Sequence, residues 1–277
     1  MYRKIGEGIY QFRGKLPGKT VTVIGGTHGD EPCGVDALKK LIPTLSIERG
    51  TLYCIYGNPR AIKKNVRHTG YDLNRAFRPA DTFAAKEKKT YEYKRSRRLM
   101  PILRKTNVLL DLHSSGTRQS PAFIICEPKS FKFAAQLPCS IRSNGWDTIQ
   151  KLGTDGFVNQ CGGYGICIEC GYSYNKNTTK KAIQSIKVLL GLFGMLKNLP
   201  RPVIKNQKTY AVTGFYRTKM NFRPVRLFKD FEPVKAGALI GFDGDTPVRV
   251  QRKCNILFCR ARTKSNQSGF IVCRAKP

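Results

Sequence analysis

The sequence predicts an α/β fold with a mixed, largely parallel central sheet flanked by helices, followed by a small all-β C-terminal module. Over the first 200 residues, apolar β-branched runs alternate with segments of helical periodicity, the pattern of strands joined by crossover helices. After residue 203 the helical period disappears, and short alternating runs lie between glycine-bearing turns. We therefore expect an α/β domain over residues 1–202 and a β-rich domain over residues 203–277.

Runs of apolar residues place the elements of the α/β domain. Strands are expected over residues 6–13, 20–25, 51–56, 107–112, 122–126 and 165–169. Helices are expected over residues 34–42, 82–104 and 176–198. The second of these helices is strongly basic and should break near Pro101. Residues 59–80 show weak periodicity and several polar groups, which favours a functional loop or short helices.

Turn residues organise the β-rich domain and the segment before it. A linker is expected over residues 198–202, which contain two prolines. Short strands are expected over residues 210–216, 223–227, 238–242, 248–251, 255–260 and 269–274. Because none of these runs has a helical period, we expect β-structure throughout this domain.

The composition is that of a folded chain in a reducing compartment. Hydrophobic residues make up 40% of the 277 residues, and the longest apolar run, 188–196, is far too short to span a membrane. No apolar segment of signal-peptide type follows the first five residues, so we expect a cytoplasmic protein with reduced thiols. Cys167 and Cys170 have CxxC spacing but no second pair, and we interpret them as small core residues.

The charge balance is strongly basic. Lys and Arg number 50 against 18 Asp and Glu, which gives a net charge of +32. Three interpretations stay open: contact with nucleic acid, attraction of small anionic substrates, or a host whose proteins are generally basic. The densest basic run, residues 86–98, is interleaved with glutamate and tyrosine, and we interpret it as a solvated helix face.

Two of the three histidines follow predicted strands and suggest a metal site. His28 and Glu31 are three residues apart, and in the first turn of a helix this spacing puts both side chains on one face. His113 follows the strand at 107–112, and the carboxyl ends of parallel strands lie at one edge of a sheet. Two histidines and a carboxylate with an open fourth position form a ligand set of catalytic zinc. We therefore predict that these three side chains bind one Zn²⁺ ion per chain.

A water on such a metal needs a base, and Glu169 is the candidate. It ends the apolar strand at 165–169, where burying an ionised carboxylate is costly without a partner such as a metal site. The alternative is a strand-end glutamate turned towards solvent.

The loop with Arg67, Asn74 and Arg75 has the groups to hold a substrate carboxylate and a developing oxyanion, although in an arginine-rich chain a solvated loop is the default interpretation.

Four motifs, in this order, resemble the succinylglutamate desuccinylase/aspartoacylase family of the zinc carboxypeptidase superfamily. They are Gly-Gly-Thr-His-Gly-Asp-Glu at 25–31, Gly-Asn-Pro-Arg-Ala at 57–61 with Asp-Leu-Asn-Arg-Ala-Phe at 72–77, Asp-Leu-His at 111–113, and Ile-Glu-Cys-Gly at 168–171. Residues 222–224 and 234–241 also resemble the C-terminal domain of that family.

This resemblance implies a role for each candidate residue. It implies that His28, Glu31 and His113 bind zinc and that Glu169 activates a water molecule. It also implies that Arg67 stabilises the oxyanion, and that Asn74 and Arg75 bind the carboxylate of the substrate. The implied reaction is hydrolysis of the amide bond in a small N-acyl amino acid or related carboxylate. The expected partner is therefore a small anionic N-acylated substrate.

Two features depart from the animal aspartoacylases of that family. Those enzymes carry a substrate-contacting arginine upstream of the catalytic glutamate, where this chain has Asn159. Their C-terminal tyrosine motif also has no counterpart, since no tyrosine follows residue 260. Both features bear on the recognition of acyl-aspartate, so the resemblance predicts deacylase chemistry without predicting that substrate.

Two other functions stay open from the sequence alone. The net charge of +32 is compatible with a polyanion- or nucleic-acid-binding protein on a hydrolase fold. The same ligand set also serves zinc carboxypeptidases that act on peptides, unless the β-rich domain narrows the cleft. The oligomeric state is undetermined, and a homo-oligomer is compatible with all these features.

The polyanion hypothesis is tested by titrating the protein with duplex DNA and with RNA at several salt concentrations. We expect no measurable affinity near physiological salt, because the sequence holds no recognised nucleic-acid motif. Binding that weakens steeply as salt rises would instead show that phosphate contacts are made.

Overall fold

The computed structural model of the protein describes residues 2–149, 153–197 and 206–276. Its strands are β1 (Tyr2–Gly6), β2 (Ile9–Arg13), β3 (Leu16–Gly25), β4 (Arg49–Tyr56), β5 (Val108–Ser115), β6 (Phe123–Ile125), β7 (Ile141–Asn144), β8 (Tyr164–Tyr172), β9 (Lys208–Arg217), β10 (Phe222–Pro224), β11 (Glu232–Val234), β12 (Leu239–Asp243), β13 (Thr246–Arg249), β14 (Cys254–Leu257) and β15 (Ser268–Ala275). Its α-helices are α1 (Pro32–Leu41), α2 (Pro59–Lys64), α3 (Ala85–Lys88), α4 (Tyr91–Arg104), α5 (Phe131–Ala134), α6 (Trp146–Ile149), α7 (Thr154–Gln160) and α8 (Asn177–Leu192).

Twelve of these strands form one mixed sheet in the order β1-β2-β4-β3-β5-β8-β6-β7-β9-β15-β14-β11. Its centre is parallel, because β4, β3, β5 and β8 pair side by side in one direction. Both edges are antiparallel, with β1 and β2 at one side and β15, β14 and β11 at the other. The predicted mixed, largely parallel sheet is confirmed.

Helices cover both faces of the central strands. On one face, α1 and α8 pack through residues such as Leu38 and Leu189 against Leu110 of β5. On the other face, α4 and α7 pack through Leu99 and Val158. The ten cysteines are free thiols, and nine of them are buried. Within the described ranges, no helix is long and apolar enough to cross a membrane.

Four of the C-terminal strands, β9, β15, β14 and β11, continue the central sheet, whereas β10, β12 and β13 form a second sheet. Strand β9 pairs in parallel with β7, from Ile141 opposite Lys208 onwards, and a shared apolar cluster joins Trp146 to Val212 and Leu257. The described residues 206–276 are strands and loops, as predicted. The proposed boundary at 202/203 and the linker over 198–202 lie outside the described residues.

Several element boundaries differ from the predictions. The strand predicted over 6–13 is confirmed over Ile9–Arg13 as β2, but its beginning is wrong, because residues 6–8 belong to the end of β1 and to the hairpin turn, which uses Gly8 at φ +62°. Strands β1, β7 and β11 were not expected, and the helix predicted to reach residue 198 ends at Leu192. Short edge strands carry too little periodicity to be distinguished from loops.

The basic segment at 82–104 is not one helix broken near Pro101. It forms α3 and α4, and the break lies at Thr90, whose side chain caps α4 by accepting the N–H of Tyr93. Pro101 lies within α4, which continues to Arg104. Proline removes one backbone N–H and its ring crowds the carbonyl four residues earlier, and α4 continues for three residues beyond Pro101 despite this cost.

The interpretation of 86–98 as a solvated helix face is wrong for two residues. Arg95 is 2% exposed and donates to the backbone carbonyls of Gly57, Glu7 and Tyr56. Glu92 is fully buried and accepts from Asn58, from the Thr69 N–H and hydroxyl, and from the Tyr71 N–H. These two charged side chains therefore anchor α4 to the loops at the sheet edge.

Replacing Glu92 should loosen the loop that follows α2. Glu92→Ala removes a fully buried carboxylate and the acceptor of the Thr69 and Tyr71 N–H groups, and we expect a loss of about 2 kcal/mol in the free energy of unfolding. Urea denaturation followed by circular dichroism measures it. Glu48→Ala, which removes an exposed carboxylate, is the matched control and should change stability by less than about 0.5 kcal/mol. Equal stability of the two variants would contradict this anchoring role.

Candidate metal centre and substrate cavity

A tight turn after β3 brings His28 and Glu31 to the carboxyl edge of the sheet. Strand β3 ends at Gly25, Gly26 adopts φ +74°, and α1 begins at Pro32 with Glu31 as its N-cap. His28 and Glu31 are the first and last residues of a turn, in which the Glu31 N–H donates to the His28 carbonyl at 3.4 Å. Our placement of the pair in a first helical turn is therefore wrong, but the two side chains still meet, with His28 Nδ1 2.9 Å from Glu31 Oε1.

Strand alternation brings His113 and Glu169 to the same edge. In β5, Leu112 packs into the core beneath α1 and α8, so Asp111 and His113 project from the opposite face. In β8, Ile168 packs into the same core and Glu169 projects the other way. His113 and Glu169 are direct neighbours in the register of the two strands.

His28, Glu31 and His113 converge on one point. Each offers a ligand atom, these atoms lie within 4.8 Å of one another, and all three residues are buried. Oε1 of Glu31 faces His28 Nδ1, and Oε2 faces His113 Nδ1 at 2.8 Å. Two imidazole nitrogens and a carboxylate oxygen are donors that zinc accepts. The structure brings together the three side chains that the sequence singled out.

Two further carboxylates lie against the outer nitrogens of these imidazoles. His28 Nε2 is 3.1 Å from Asp72 Oδ1. His113 Nε2 is 3.2 Å from Asp111 Oδ2, although the two are not aligned as a hydrogen bond. A carboxylate at the second nitrogen is the usual companion of a metal-binding histidine, because it fixes the ring and its tautomer. The residues present therefore fit a divalent cation held through the two Nδ1 atoms and Glu31.

The surrounding charges keep Glu31 ionised. Burial alone raises its pKa, but the neighbouring His28 and His113 outweigh this and hold the pKa well below its usual range. Burial lowers the pKa of His113, but the neighbouring Cys167, Asp111 and Glu31 raise it by more than this, so the pKa lies well above its ordinary value. An ionised carboxylate is what metal ligation at this point requires.

Glu169 lies beside this cluster as a buried carboxyl group. It is 9% exposed, and its Oε2 has no hydrogen-bond partner among the described residues. Burial, followed by repulsion from Glu31, raises the pKa of Glu169 to about 7. A carboxyl group with a pKa near neutrality can accept and return a proton. The alternative of a glutamate turned towards solvent is wrong.

The loop after α2 is held by internal contacts. Arg67 donates to Glu31 Oε1 and to Asp72 Oδ2, both at 3.3 Å. Asn74 Oδ1 accepts a backbone N–H at the start of α7 at 3.1 Å, and Arg75 Nη1 donates to the Asn74 carbonyl at 2.7 Å. The default interpretation of a solvated loop is therefore wrong for these residues.

All seven predicted residues line one cavity of about 450 Å³, namely His28, Glu31, Arg67, Asn74, Arg75, His113 and Glu169. Its volume lies in the range of small-molecule sites, about 300–1,000 Å³. One wall comes from the C-terminal strands and includes Arg260 and Arg262. Residues from the N-terminal and the C-terminal parts of the chain therefore line the same cavity.

Sequence reasoning missed four polar residues of this site. Asp72 and Asp111 orient the imidazoles, and Asp111 in turn accepts from the hydroxyls of Thr27, at 3.0 Å, and Thr154, at 2.5 Å. Strand periodicity was a usable signal for Asp111, because it lies two residues before His113 and so on the same face. No local pattern identifies Thr154, which meets Asp111 only in the folded chain.

Comparison with known sequences matches residues 17–190 to the succinylglutamate desuccinylase/aspartoacylase catalytic domain. A probable aspartoacylase of Acaryochloris marina is 30% identical over 164 residues, 55% of each chain. An N-acyl-aromatic-L-amino acid amidohydrolase (carboxylate-forming) of Xenopus laevis is 31% identical over 123 residues, 42% of this chain and 40% of the relative. The chain thus spans about half or less of the length of these curated relatives.

Solved structures share the fold over nearly the whole chain. The succinylglutamate desuccinylase of Vibrio parahaemolyticus has a TM-score of 0.79 at 16% identity, covering 98% of this chain and 86% of that one. The product-bound ectoine utilization protein EutE (DoeB) of Ruegeria pomeroyi has a TM-score of 0.75 at 18% identity, covering 96% and 88%. At such identities the likeness establishes the fold alone. The match over residues 17–190, more than half of the chain, establishes that the protein belongs to the succinylglutamate desuccinylase/aspartoacylase family.

Proposed function

We propose that the protein is a zinc-dependent hydrolase that cleaves the amide bond of a small N-acyl amino acid or related carboxylate. The observation that carries this proposal is the buried cluster of His28, Glu31 and His113 in one cavity with Glu169. The names of the relatives, an aspartoacylase and an N-acyl-aromatic-L-amino acid amidohydrolase, support the same reaction class.

His28, Glu31 and His113 would hold the metal ion through two Nδ1 atoms and the carboxylate. When bound, zinc supplies Lewis-acid chemistry, which lowers the pKa of a water and polarises a carbonyl. Asp72 and Asp111 keep the imidazoles turned with Nδ1 towards the cluster. Three protein ligands leave a position open, which is the feature that separates catalytic from structural zinc sites.

Glu169 would take a proton from the attacking water and pass it to the leaving amine. Its Oε2 is buried without a hydrogen-bond partner in the described part of the chain, so one carboxyl oxygen is available for this transfer. Burial raises its pKa to about 7, which makes both protonation states accessible near neutral pH. The same group therefore suits both halves of the proton transfer.

The loop arginines would handle negative charge on the substrate. The contacts of Arg67 with Glu31 and Asp72 keep its guanidinium beside the metal cluster, where the carbonyl oxygen gains charge. Asn74 and Arg75 lie next to each other and would hold the substrate carboxylate through an amide and a forked guanidinium.

The size of the cavity favours a small substrate over a polypeptide. Its volume of about 450 Å³ is bounded on one side by the C-terminal strands. Peptide hydrolysis remains the alternative within the same chemistry. Adding acylated dipeptides and tripeptides to the substrate panel distinguishes the two.

Metal content tests the ligand assignment. Protein refolded with zinc and then dialysed should contain one Zn²⁺ ion per chain by plasma mass spectrometry. His28→Ala and His113→Ala should lose this ion, because each removes one of three ligands. His68→Ala is the matched control, since the third histidine lies outside the cluster, and it should keep one equivalent. Full zinc content in His113→Ala would contradict the assignment.

Replacing the proposed base tests the chemistry. Glu169→Gln should lower kcat by about 10²–10⁴-fold, the usual contribution of a general acid–base group, while zinc content stays at one equivalent. Release of free amine from N-acetyl, N-succinyl and N-formyl amino acids gives the rate. Glu48→Gln, at an exposed site, serves as the control. A Glu169→Gln protein with the kcat of the wild type would exclude this role.

A further inference from the structure

A second open space lies in the C-terminal part of the chain, on the other face of β15 from the cavity that contains the candidate metal cluster. Ile271 of β15 lines that metal cavity, whereas Phe270 and Val272 line a groove of about 580 Å³. Neighbouring residues of a strand point to opposite faces of the sheet, so β15 separates the two spaces. Among the described residues, none lines both spaces. The proposed chemistry therefore gives this second groove no role.

The floor of the second groove is apolar, because it is the edge of the core between the two C-terminal sheets. Val248 of β13 comes from the small sheet, Phe270 and Val272 of β15 come from the large one, and all three belong to one apolar cluster. Tyr216 of β9 stacks on Phe270 with ring centroids 5.3 Å apart, and its hydroxyl donates to Asp243 Oδ2 at 2.8 Å. The polar end of the tyrosine is thus satisfied, and its ring adds to the apolar surface.

Gly214 of β9 leaves one face of its strand open beside the second groove. It lies opposite Val272 in the register of β9 and β15, and paired residues point to the same face of a sheet. A Cβ atom placed on Gly214 would meet no heavy atom within 4 Å. The φ angle of Gly214 is not in the left-handed region, so its backbone also suits larger residues. Gly214 therefore leaves a space beside Val272 that a larger side chain would occupy.

Four exposed basic side chains line the second groove, namely Lys219, Arg249, Arg252 and Arg274. In the part of the chain that the structure describes, none of them forms an ion pair, and no aspartate or glutamate lines the groove. Arg274 follows Val272 by two residues on β15 and so points to the same face of the sheet. The groove therefore combines an apolar floor with positive charge that the surrounding residues leave unpaired.

This combination selects for a ligand with two parts. An apolar body would displace water from the floor, and an anionic group would accept hydrogen bonds from a guanidinium. A volume of about 580 Å³ lies in the range of small-molecule sites, about 300–1,000 Å³. Positive charge is common on this chain, so charge alone would not single out the groove. The open apolar floor beneath the charge does.

We propose that the second groove binds a small amphipathic anion, a carboxylate with an aliphatic chain or an aromatic ring. The apolar part lies beside Gly214, between Val248 and Val272, and the carboxylate meets Arg274 and Arg252 at the rim. This site is separate from the metal cavity. It goes beyond the proposed hydrolase function and does not depend on it.

The binding test uses three probes that separate the two parts of the ligand. In calorimetric titrations, octanoate should bind with one molecule per chain. It should bind about 5-fold more tightly than 1-octanol, which has the chain without the charge. Acetate, which has the charge without the chain, should give no measurable heat. No heat from millimolar octanoate, or equal affinity for octanoate and 1-octanol, would overturn the proposal.

Removing the rim charges tests which cations hold the carboxylate. The double variant Arg252→Ala with Arg274→Ala should weaken octanoate binding on the order of 10-fold and leave 1-octanol binding unchanged. The matched control is Arg3→Ala with Arg13→Ala, which removes the same charge from exposed residues of β1 and β2, at the opposite edge of the sheet. Equal octanoate affinity in the two double variants would refute the assignment of the arginines.

Filling the space beside Val272 tests the place of the apolar part. Gly214→Leu should lose the binding of both octanoate and 1-octanol, because its side chain would occupy the groove. Thr213→Leu is the matched control, since it adds the same side chain at an exposed position on the opposite face of β9. Thermal melting by circular dichroism checks that each variant is folded. Wild-type octanoate affinity in a folded Gly214→Leu protein would contradict the site.

Two further outcomes would assign octanoate elsewhere. The metal cavity also holds arginines, so octanoate binding should be unchanged by EDTA and in Arg260→Ala, which removes a cation of that cavity. Loss of binding under either condition would place the ligand in the metal cavity and overturn the proposal. Displacement of octanoate by a short oligothymidylate would instead assign the groove to single-stranded nucleic acid and exclude the small-ligand class.

Discussion

The carboxylate of Glu31 is the group on which the candidate site depends. Its oxygens face Nδ1 of His28 and of His113 at 2.9 and 2.8 Å, and Arg67 approaches the same group. A buried carboxylate is stable only with such partners. The turn after β3, the end of β5 and the loop after α2 therefore meet at one charge. Displacing any one of the three segments would remove a partner of this buried carboxylate.

A second buried carboxylate, Glu92, acts on the same site from a distance. Its carboxylate accepts the backbone N–H groups of Thr69 and Tyr71, in the loop between Arg67 and Asn74. The helix α4 is thus more than a basic surface element, because it fixes the conformation of the loop that carries the candidate anion-binding groups. Arg95 adds three bonds to backbone carbonyls on the same side of the fold.

Two different parts of the chain line the cavity. The candidate ligands, base and loop arginines all lie within residues 17–190, the part that matches the family's catalytic domain. Arg260 and Arg262 lie beyond it, in the loop between β14 and β15, and these strands join the central sheet through β9 and β7. The C-terminal segment therefore lines the same cavity as the candidate metal cluster without contributing a residue to that cluster.

By itself the sequence determined the central sheet, the four motifs and the three residues of the candidate metal cluster, because these depend on continuous apolar runs and on short local spacing. It did not determine the break at Thr90 or the burial of Glu92, since the helical period continues across both. Only the tertiary structure places Asp72 against His28 and brings Arg260 to the end of β5. Those contacts join residues far apart in the chain, and no local pattern records which distant partner a polar side chain will meet.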